Sequence, residues 1–469
     1  MAIAVGVGLV VVGLAVYLAT RTDRFYDHFV WQAAAFLEGQ AAIRYPVPPT
    51  DASVGNAYFQ DVLPIVTTDG IPRGLLPFPP LPAILLIPFV AIWGLSTNDH
   101  LLFTVLAAVD IAICWWMLGG LAVRFAIRLA TTVFFAFGTV FWYSAQLATT
   151  WYEAHIVAVG LTLLACGLAI RADPAAQADE ADDHECWVAT TTPEPNSRDG
   201  GLRRRLSVDR RQFIIGLLFG LACTARLTVV FAAPFLLLVG AGGGWWRRGW
   251  SAAVGAAVPL GLLVAYNVAS TGQVVHPAYD YLYRIEAAGY VSLGYHSDWS
   301  IEDPRYLPQN IGIMLFTPPD ILPARLPDAL GVWNTPVCTE PGAQRGLFDP
   351  SCPLAVPSDL GMSLFIASPA YLFGFAALRR YGRSRLVTGA ALAVLLIAVV
   401  NLMHFSQGWV QFGYRFSNDF APFAVVLVAI GFERLSRRHA WGLPLGMALV
   451  VVSIAVNFWG VTWGRLLGW

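Results

Sequence analysis

Apolar residues along this chain come in long unbroken blocks, with the polar positions gathered between them. Blocks long enough to cross about 30 Å of hydrocarbon as helices lie near residues 2 to 20, 100 to 121, 129 to 147 and 152 to 170. Others lie near 251 to 269, 360 to 378, 385 to 403, 417 to 433 and 441 to 460. Two apolar stretches fit less well. Leu81 to Leu95 is short and follows Pro77, Pro79, Pro80 and Pro82, while Phe213 to Gly240 is long and carries Arg226 near its middle.

Arginine placement orders these blocks. Clusters stand at Arg124 and Arg128, Arg203 to Arg211, Arg247 and Arg248, Arg379 to Arg385, and Arg434 to Arg438. The positive-inside tendency puts all five on the cytoplasmic side. That requires 81 to 95 to lie in the outer interface without crossing, and 213 to 240 to enter and return as a hairpin around Arg226. The expected fold is an all-α polytopic membrane bundle of about nine full spans plus one re-entrant hairpin, with juxtamembrane helices and loops on the outer face. The N-terminus is then inside, the C-terminus outside, and Arg21 and Arg24 are local exceptions.

Five regions follow: an N-terminal membrane region, 1–170, holding a first outer loop at 21–99; a linker, 171–211; the hairpin and a span, 212–269; an outer loop domain, 270–358; and C-terminal spans, 359–469. The linker is rich in Ala, Asp, Glu, Pro and Thr before Arg203-Arg204-Arg205, so a disordered cytoplasmic segment with a basic anchor is expected. The first block lacks a basic n-region and a small-residue cleavage site, and reads as a retained span. No repeat at a fixed period marks an inverted-repeat transporter.

Composition agrees: 57% of the 469 residues are hydrophobic and 13% charged, far from a soluble domain. A net charge of −1 gives no basic field for nucleic acid. All 29 basic residues are arginine, a weak hint of a GC-rich bacterial genome and so of a bacterial plasma membrane. Of six cysteines, only Cys338 and Cys352 share a loop suited to a disulfide, provided it faces an oxidising compartment.

Candidate chemistry clusters at the outer ends of the blocks. Just past the first comes Asp23-Arg24-Phe25-Tyr26-Asp27-His28-Phe29, an amphipathic stretch where a carboxylate meets headgroups and water. Farther along the same loop stand Tyr58-Phe59-Gln60-Asp61, then Leu76-Pro77-Phe78-Pro79-Pro80-Leu81, where proline fixes the returning backbone. An acidic residue after the first span followed by a Pro-Pro-Leu segment resembles the GT-C membrane glycosyltransferases, among them the protein O-mannosyltransferases and the lipid A aminoarabinose transferase. That resemblance implies a catalytic base at Asp27, with His28 where the mannosyltransferases carry a second carboxylate. Glu153, in Thr150-Trp151-Tyr152-Glu153-Ala154-His155, is a replacement at the mouth of a span. Glu153 and His155 lie two apart and point about 200° from each other on a helix, so one ligand cannot engage both. Each of these groups can equally be a headgroup anchor or a satisfied interhelical contact.

Near the C-terminus, Phe412-Gly413-Tyr414-Arg415-Phe416 resembles a Gly-Tyr-Arg-Tyr-like segment of bacterial members of that superfamily. Arg415 is on the outer face, where the positive-inside tendency does not explain it, and its rigid fork suits phosphate. An ion pair with Asp419, four residues on, explains it equally well. Arg226 needs a lipid phosphate or a carboxylate as partner. The aromatics of the 270–358 loop suit an interfacial belt or a sugar, and His276, His296, Asp298, Glu302 and Asp303 lack metal-ligand spacing.

The implied activity is inverting transfer of a mannose-like sugar from a polyprenyl-phosphate donor to a glycan, lipoglycan or protein acceptor. Asp27 is then the base, Arg415 faces the phosphate, and His28, Asp61, Glu153, His155 and Tyr414 contact donor or acceptor. No cofactor is required by this reading, and a divalent ion is left open. A transporter or lipid flippase, or a non-catalytic lipid-binding scaffold, are the alternatives, although transporters concentrate charge near the bilayer midplane.

Overall fold

A computed structural model describes residues 2–22, 26–44, 61–65, 70–71, 73–173, 207–289, 291–329 and 331–469. Most of the expected linker, 174–206, lies outside this set, as do Tyr58, Phe59 and Gln60.

The molecule is mainly helical. Among the described residues, six helices are long and apolar enough to cross a membrane: Ala2–Thr20, Asp99–Leu118, Thr150–Ala172, Trp245–Thr271, Arg385–Met403 and Gly442–Leu467. A bent pair, Phe125–Phe137 and Phe141–Leu147, makes a seventh if the two pieces are one span. This fits a multi-pass membrane protein, with fewer qualifying spans than the nine expected. The block near 360 to 378 is cut into short pieces, Leu364–Ala367, Pro369–Leu372, Phe373–Ala377 and Leu378–Arg380. The break falls at Ser368, held at φ −142° and ψ 67° before Pro369, which lacks a backbone donor. The block near 417 to 433 becomes Ala421–Arg438, whose last turns carry Glu433, Arg434, Arg437 and Arg438.

The stretch around Arg226 doubles back. Asp209 caps the Arg210–Cys223 helix, accepting from the backbone N–H groups of Arg211 and Gln212. The chain leaves the helix at Thr224 and returns through Leu227–Ala232 and Ala233–Leu238. Gln212 ties the two legs: its amide donates to Leu236 O at 3.1 Å and its carbonyl accepts from Ala241 N at 2.9 Å. The first leg, 14 residues long, rises only about 21 Å. It packs on Trp245–Thr271 through glycines, since a Cβ at Gly216 would come within 2.1 Å of Ala252 O and one at Gly255 within 2.1 Å of Phe213 O. At the turn, Thr224 O accepts from Leu81 N at 3.4 Å, joining the hairpin tip to the start of the short Leu81–Trp93 helix.

The bundle has two chemically different ends. At one, Trp115 Nε1 donates to Ala2 O, and Arg128 Nε donates to Trp115 O at 2.9 Å. Arg124 and Arg437 pair there with Glu433, while Arg248 and Arg385 converge on Asp173 at 3.6 and 3.2 Å. Members of four arginine clusters thus gather at this end, and Arg247 reaches Asp209 beside the fifth at 4.0 Å. At the other end lie Thr20, Arg21, Asp27, Asn98 and Gln146, linked by Trp142 to Thr20 and Thr22 to Gln146. Trp463 and Trp469 donate to Leu347 O and Asp328 O, so the end of the last helix meets the large loop.

That loop carries the helices Ala278–Gly289 and Leu307–Phe316 and two small antiparallel pairs, Asp320–Ile321 with Ala355–Val356 and Arg325–Pro327 with Trp333–Pro336. Cys338 and Cys352 are joined by a disulfide. The first loop contributes His28–Leu37 and a three-stranded sheet with Arg73–Leu75 between Ile43–Arg44 and Leu63–Ile65, antiparallel to both.

Candidate functional site

Loop residues and helix ends enclose a cavity of about 410 Å³ at the end opposite the arginine clusters. Tyr26, Asp61, Trp151, Tyr152, Arg226, Tyr279, Tyr295, His404, Trp409, Arg415 and Phe416 are among its walls. The size is in the range of small-molecule sites, and aromatic faces beside a few charged groups suit a polar ring substrate.

Arg415 and Arg226 differ in what they hold. Arg226 makes a fork onto Asp419, with Nε to Oδ1 at 3.1 Å and Nη2 to Oδ2 at 2.9 Å. The same carboxylate accepts from Thr228 Oγ1 at 2.7 Å, Asn401 Nδ2 at 3.2 Å and His155 Nδ1 at 2.8 Å. Of the two partners open to Arg226, a carboxylate provides for it. Arg415 therefore does not take Asp419, and among the described residues no carboxylate lies within ion-pair distance of it. Its backbone N–H donates to Gln411 Oε1, its guanidinium lies 5.5 Å from the Tyr152 ring and 5.3 Å from the Phe416 ring, and its buried Nε has no hydrogen-bond partner. Gly408, at φ 91°, passes under it, where a Cβ would approach Nε to 2.8 Å.

Asp61 is also in the cavity wall, and accepts from Trp151 Nε1 at 2.7 Å. Burial pushes its carboxyl up to about 6, against the opposing pull of the Trp151 hydrogen bond and the Arg415 charge. An acid raised in the folded state favours its protonated form there, so its contribution to stability is present at low pH and is lost as pH rises through about 6. Asp61→Asn is expected to match wild type below about pH 4, where the carboxyl is protonated in both folded and unfolded chains, and to unfold at a higher temperature near pH 8, read by thermal unfolding in detergent across that range.

The remaining candidates separate. Asp27 is not in the cavity wall. It precedes the His28–Leu37 helix, and its Oδ1 lies 3.5 Å from His100 Nε2. His28 is fully buried and also outside the wall, with Nδ1 2.9 Å from Thr150 Oγ1, whose hydroxyl donates to Tyr26 O. Glu153 and His155 diverge as helix geometry requires. Glu153 is buried against Asp99 and near Asp27, whereas His155 turns to Asp419. Tyr414 is in the core, its hydroxyl donating to Asn401 O at 3.3 Å.

Of the acids and histidines of the large loop, Asp303 pairs with Arg305, Glu302 with His404 across 3.2 Å, and His296 stacks on Trp299. The Asp303 carboxyl is held well below its usual range, chiefly by the Arg305 side chain.

Asp99 and His100 were not singled out by sequence. They straddle the loop-to-span boundary, where an Asp-His pair following Asn98 reads as an ordinary helix start, and Asn98 does cap this helix by accepting from Leu101 N.

No protein-family model, curated protein or solved structure matches the chain. The site's own chemistry therefore carries its functional reading.

Proposed function

We propose that the chain is an integral membrane glycosyltransferase that moves a mannose-like sugar from a polyprenyl-phosphate donor to an acceptor at the outer membrane face. The observation that carries the proposal is Arg415, a cavity-lining guanidinium without a carboxylate partner among the described residues, next to aromatic rings and an acid. A phosphate supplies the missing anion through charge-assisted hydrogen bonds. The outer-face orientation is supported by the gathering of arginines at the opposite end and by the Cys338–Cys352 disulfide on the cavity's side of the bundle.

In this reaction a carboxylate takes the acceptor hydroxyl proton and the acceptor oxygen bonds to the anomeric carbon. The carbon–oxygen bond to phosphate breaks on the opposite side, and the phosphate departs with the electron pair, inverting the centre. Arg415 meets the charge that develops on that phosphate. The GT-C resemblance assigns the base to Asp27. A second assignment, Asp61, is favoured by its position in the cavity wall.

The test is sugar transfer or release from radiolabelled polyprenyl-phosphate mannose by purified protein in liposomes, with other donors in parallel. Asp61→Asn and Asp27→Asn are compared with wild type, and a loss of about 10²-fold or more is expected when the base is removed. Folded wild type that is inactive with every donor would overturn the proposal and favour a transporter or scaffold.

A further inference from the structure

Asp27, Asp99, His100 and Glu153 come together from three separate parts of the sequence, beside the cavity but outside its wall. Asp27 begins the first-loop helix, Asp99 and His100 open one span, and Glu153 is in the first turn of another. Tyr26 and Tyr152, which line the cavity, are their immediate chain neighbours. We propose that Asp27, Asp99 and His100 form a site for one divalent cation of the Mn²⁺ class, with Glu153 beside it adding negative charge.

The first argument is geometric. One ligand atom each from Asp27, Asp99 and His100 lie within 4.8 Å of one another. Ligands about 2.1 Å from a shared ion are at most about 4.2 Å apart, so shifts of a few tenths of an ångström close the site. His100 Nε2 is directed between the two carboxylates, 3.5 Å from Asp27 Oδ1 and 3.6 Å from Asp99 Oδ1.

The second argument is independent of that spacing. Glu153 is fully buried with its carboxyl against that of Asp99, and apart from this carboxyl-to-carboxyl contact no N–H or hydroxyl donor reaches either of its oxygens. Asp99 Oδ2 and His100 Nε2 are buried in the same condition. Among the described residues no arginine is within ion-pair distance of Asp99, Glu153 or Asp27. Two buried carboxylates, a half-exposed third and one imidazole make an excess of negative charge that burial alone makes expensive. A cation held by Asp27, Asp99 and His100 would engage the open His100 Nε2 and place positive charge beside the buried Asp99 and Glu153 carboxyls.

The donor set also narrows the ion. Carboxylates suit hard cations, whereas the imidazole moves preference from Ca²⁺ and Mg²⁺ toward Mn²⁺ and its first-row neighbours. Asp27 as a ligand leaves Asp61 as the carboxylate facing the cavity. The ion would then fix Asp27 at the rim without itself needing to touch substrate, so its binding does not depend on the sugar-transfer reading.

The test uses full-length protein in nanodiscs, stripped with chelator and titrated with Mn²⁺ alone. Loss of the free Mn²⁺ electron paramagnetic resonance signal reports binding, and thermal unfolding is followed in parallel. One ion per chain is expected, raising the unfolding temperature of wild type. Asp99→Asn and His100→Gln should each weaken binding more than tenfold and remove that rise, while Arg415→Ala retains both. His100→Gln serves as the milder variant should Asp99→Asn fail to fold. Absence of stoichiometric Mn²⁺ binding by folded wild type would overturn the proposal. Binding unaffected by either variant would do the same. The two readings fail separately, because Mn²⁺ binding is measured without donor and sugar transfer is scored through Arg415.

Discussion

Arg415→Ala is expected to lower kcat/KM for transfer from a polyprenyl-phosphate sugar by about 10²- to 10³-fold, equivalent to ~2.7–4 kcal/mol of lost stabilisation of developing negative charge. Its folded stability should change little. No carboxylate among the described residues loses a partner, and the backbone bond to Gln411 is untouched by the substitution. Arg415→Lys should recover only part of the rate, because an ammonium keeps the charge but not the planar fork. The measurement is steady-state transfer in liposomes, with thermal unfolding of the same preparations as the control. Wild-type rates in Arg415→Ala would remove the phosphate assignment.

Asp419→Asn should behave in the opposite way. Its carboxylate takes two bonds from Arg226 and one each from His155, Thr228 and Asn401, tying the hairpin tip to two long helices and to the loop that carries Arg415. Removing one charge strands a guanidinium in the interior, a change that costs about 3–5 kcal/mol in buried pairs. A large drop in unfolding temperature is expected, with partial recovery in the Asp419→Asn/Arg226→Gln double variant, which no longer leaves a charge unmatched. An unchanged unfolding temperature in the single variant would mean that the pair does not hold the bundle together.

Uniformly apolar blocks were the most legible feature. Ala2–Thr20 and Arg385–Met403 follow their sequence blocks closely because nothing inside them competes with helix formation. The 360–378 block has similar apolarity, but Ser368 and Pro369 interrupt the hydrogen-bond ladder, a local effect that window hydropathy averages away. In the site, Arg415 stood out because it breaks the charge asymmetry of the loops. What it faces did not. Asp419 is the nearer acid in sequence, yet it is taken by Arg226 from 193 residues away, a tertiary choice that no local spacing encodes. Asp99 and His100 were hidden by lying at the edge of an element. His28 and Tyr414 entered through the resemblance, and burial commits both elsewhere, His28 to Thr150 and Tyr414 to Asn401.

Phe416 has a guanidinium near its ring on either count: Arg226 at 5.5 Å, already neutralised by Asp419, and Arg415 at 5.3 Å. The cavity thus offers an incoming lipid a single uncommitted counter-charge among its described walls. A sugar joined to its carrier through one phosphate is a phosphodiester monoanion and matches that offer. A sugar on a pyrophosphate linker brings a second charge that would need lipid, ion or solvent to balance it. On the proposed reading, the choice between the two carrier chemistries is made by how many guanidiniums Asp419 leaves free.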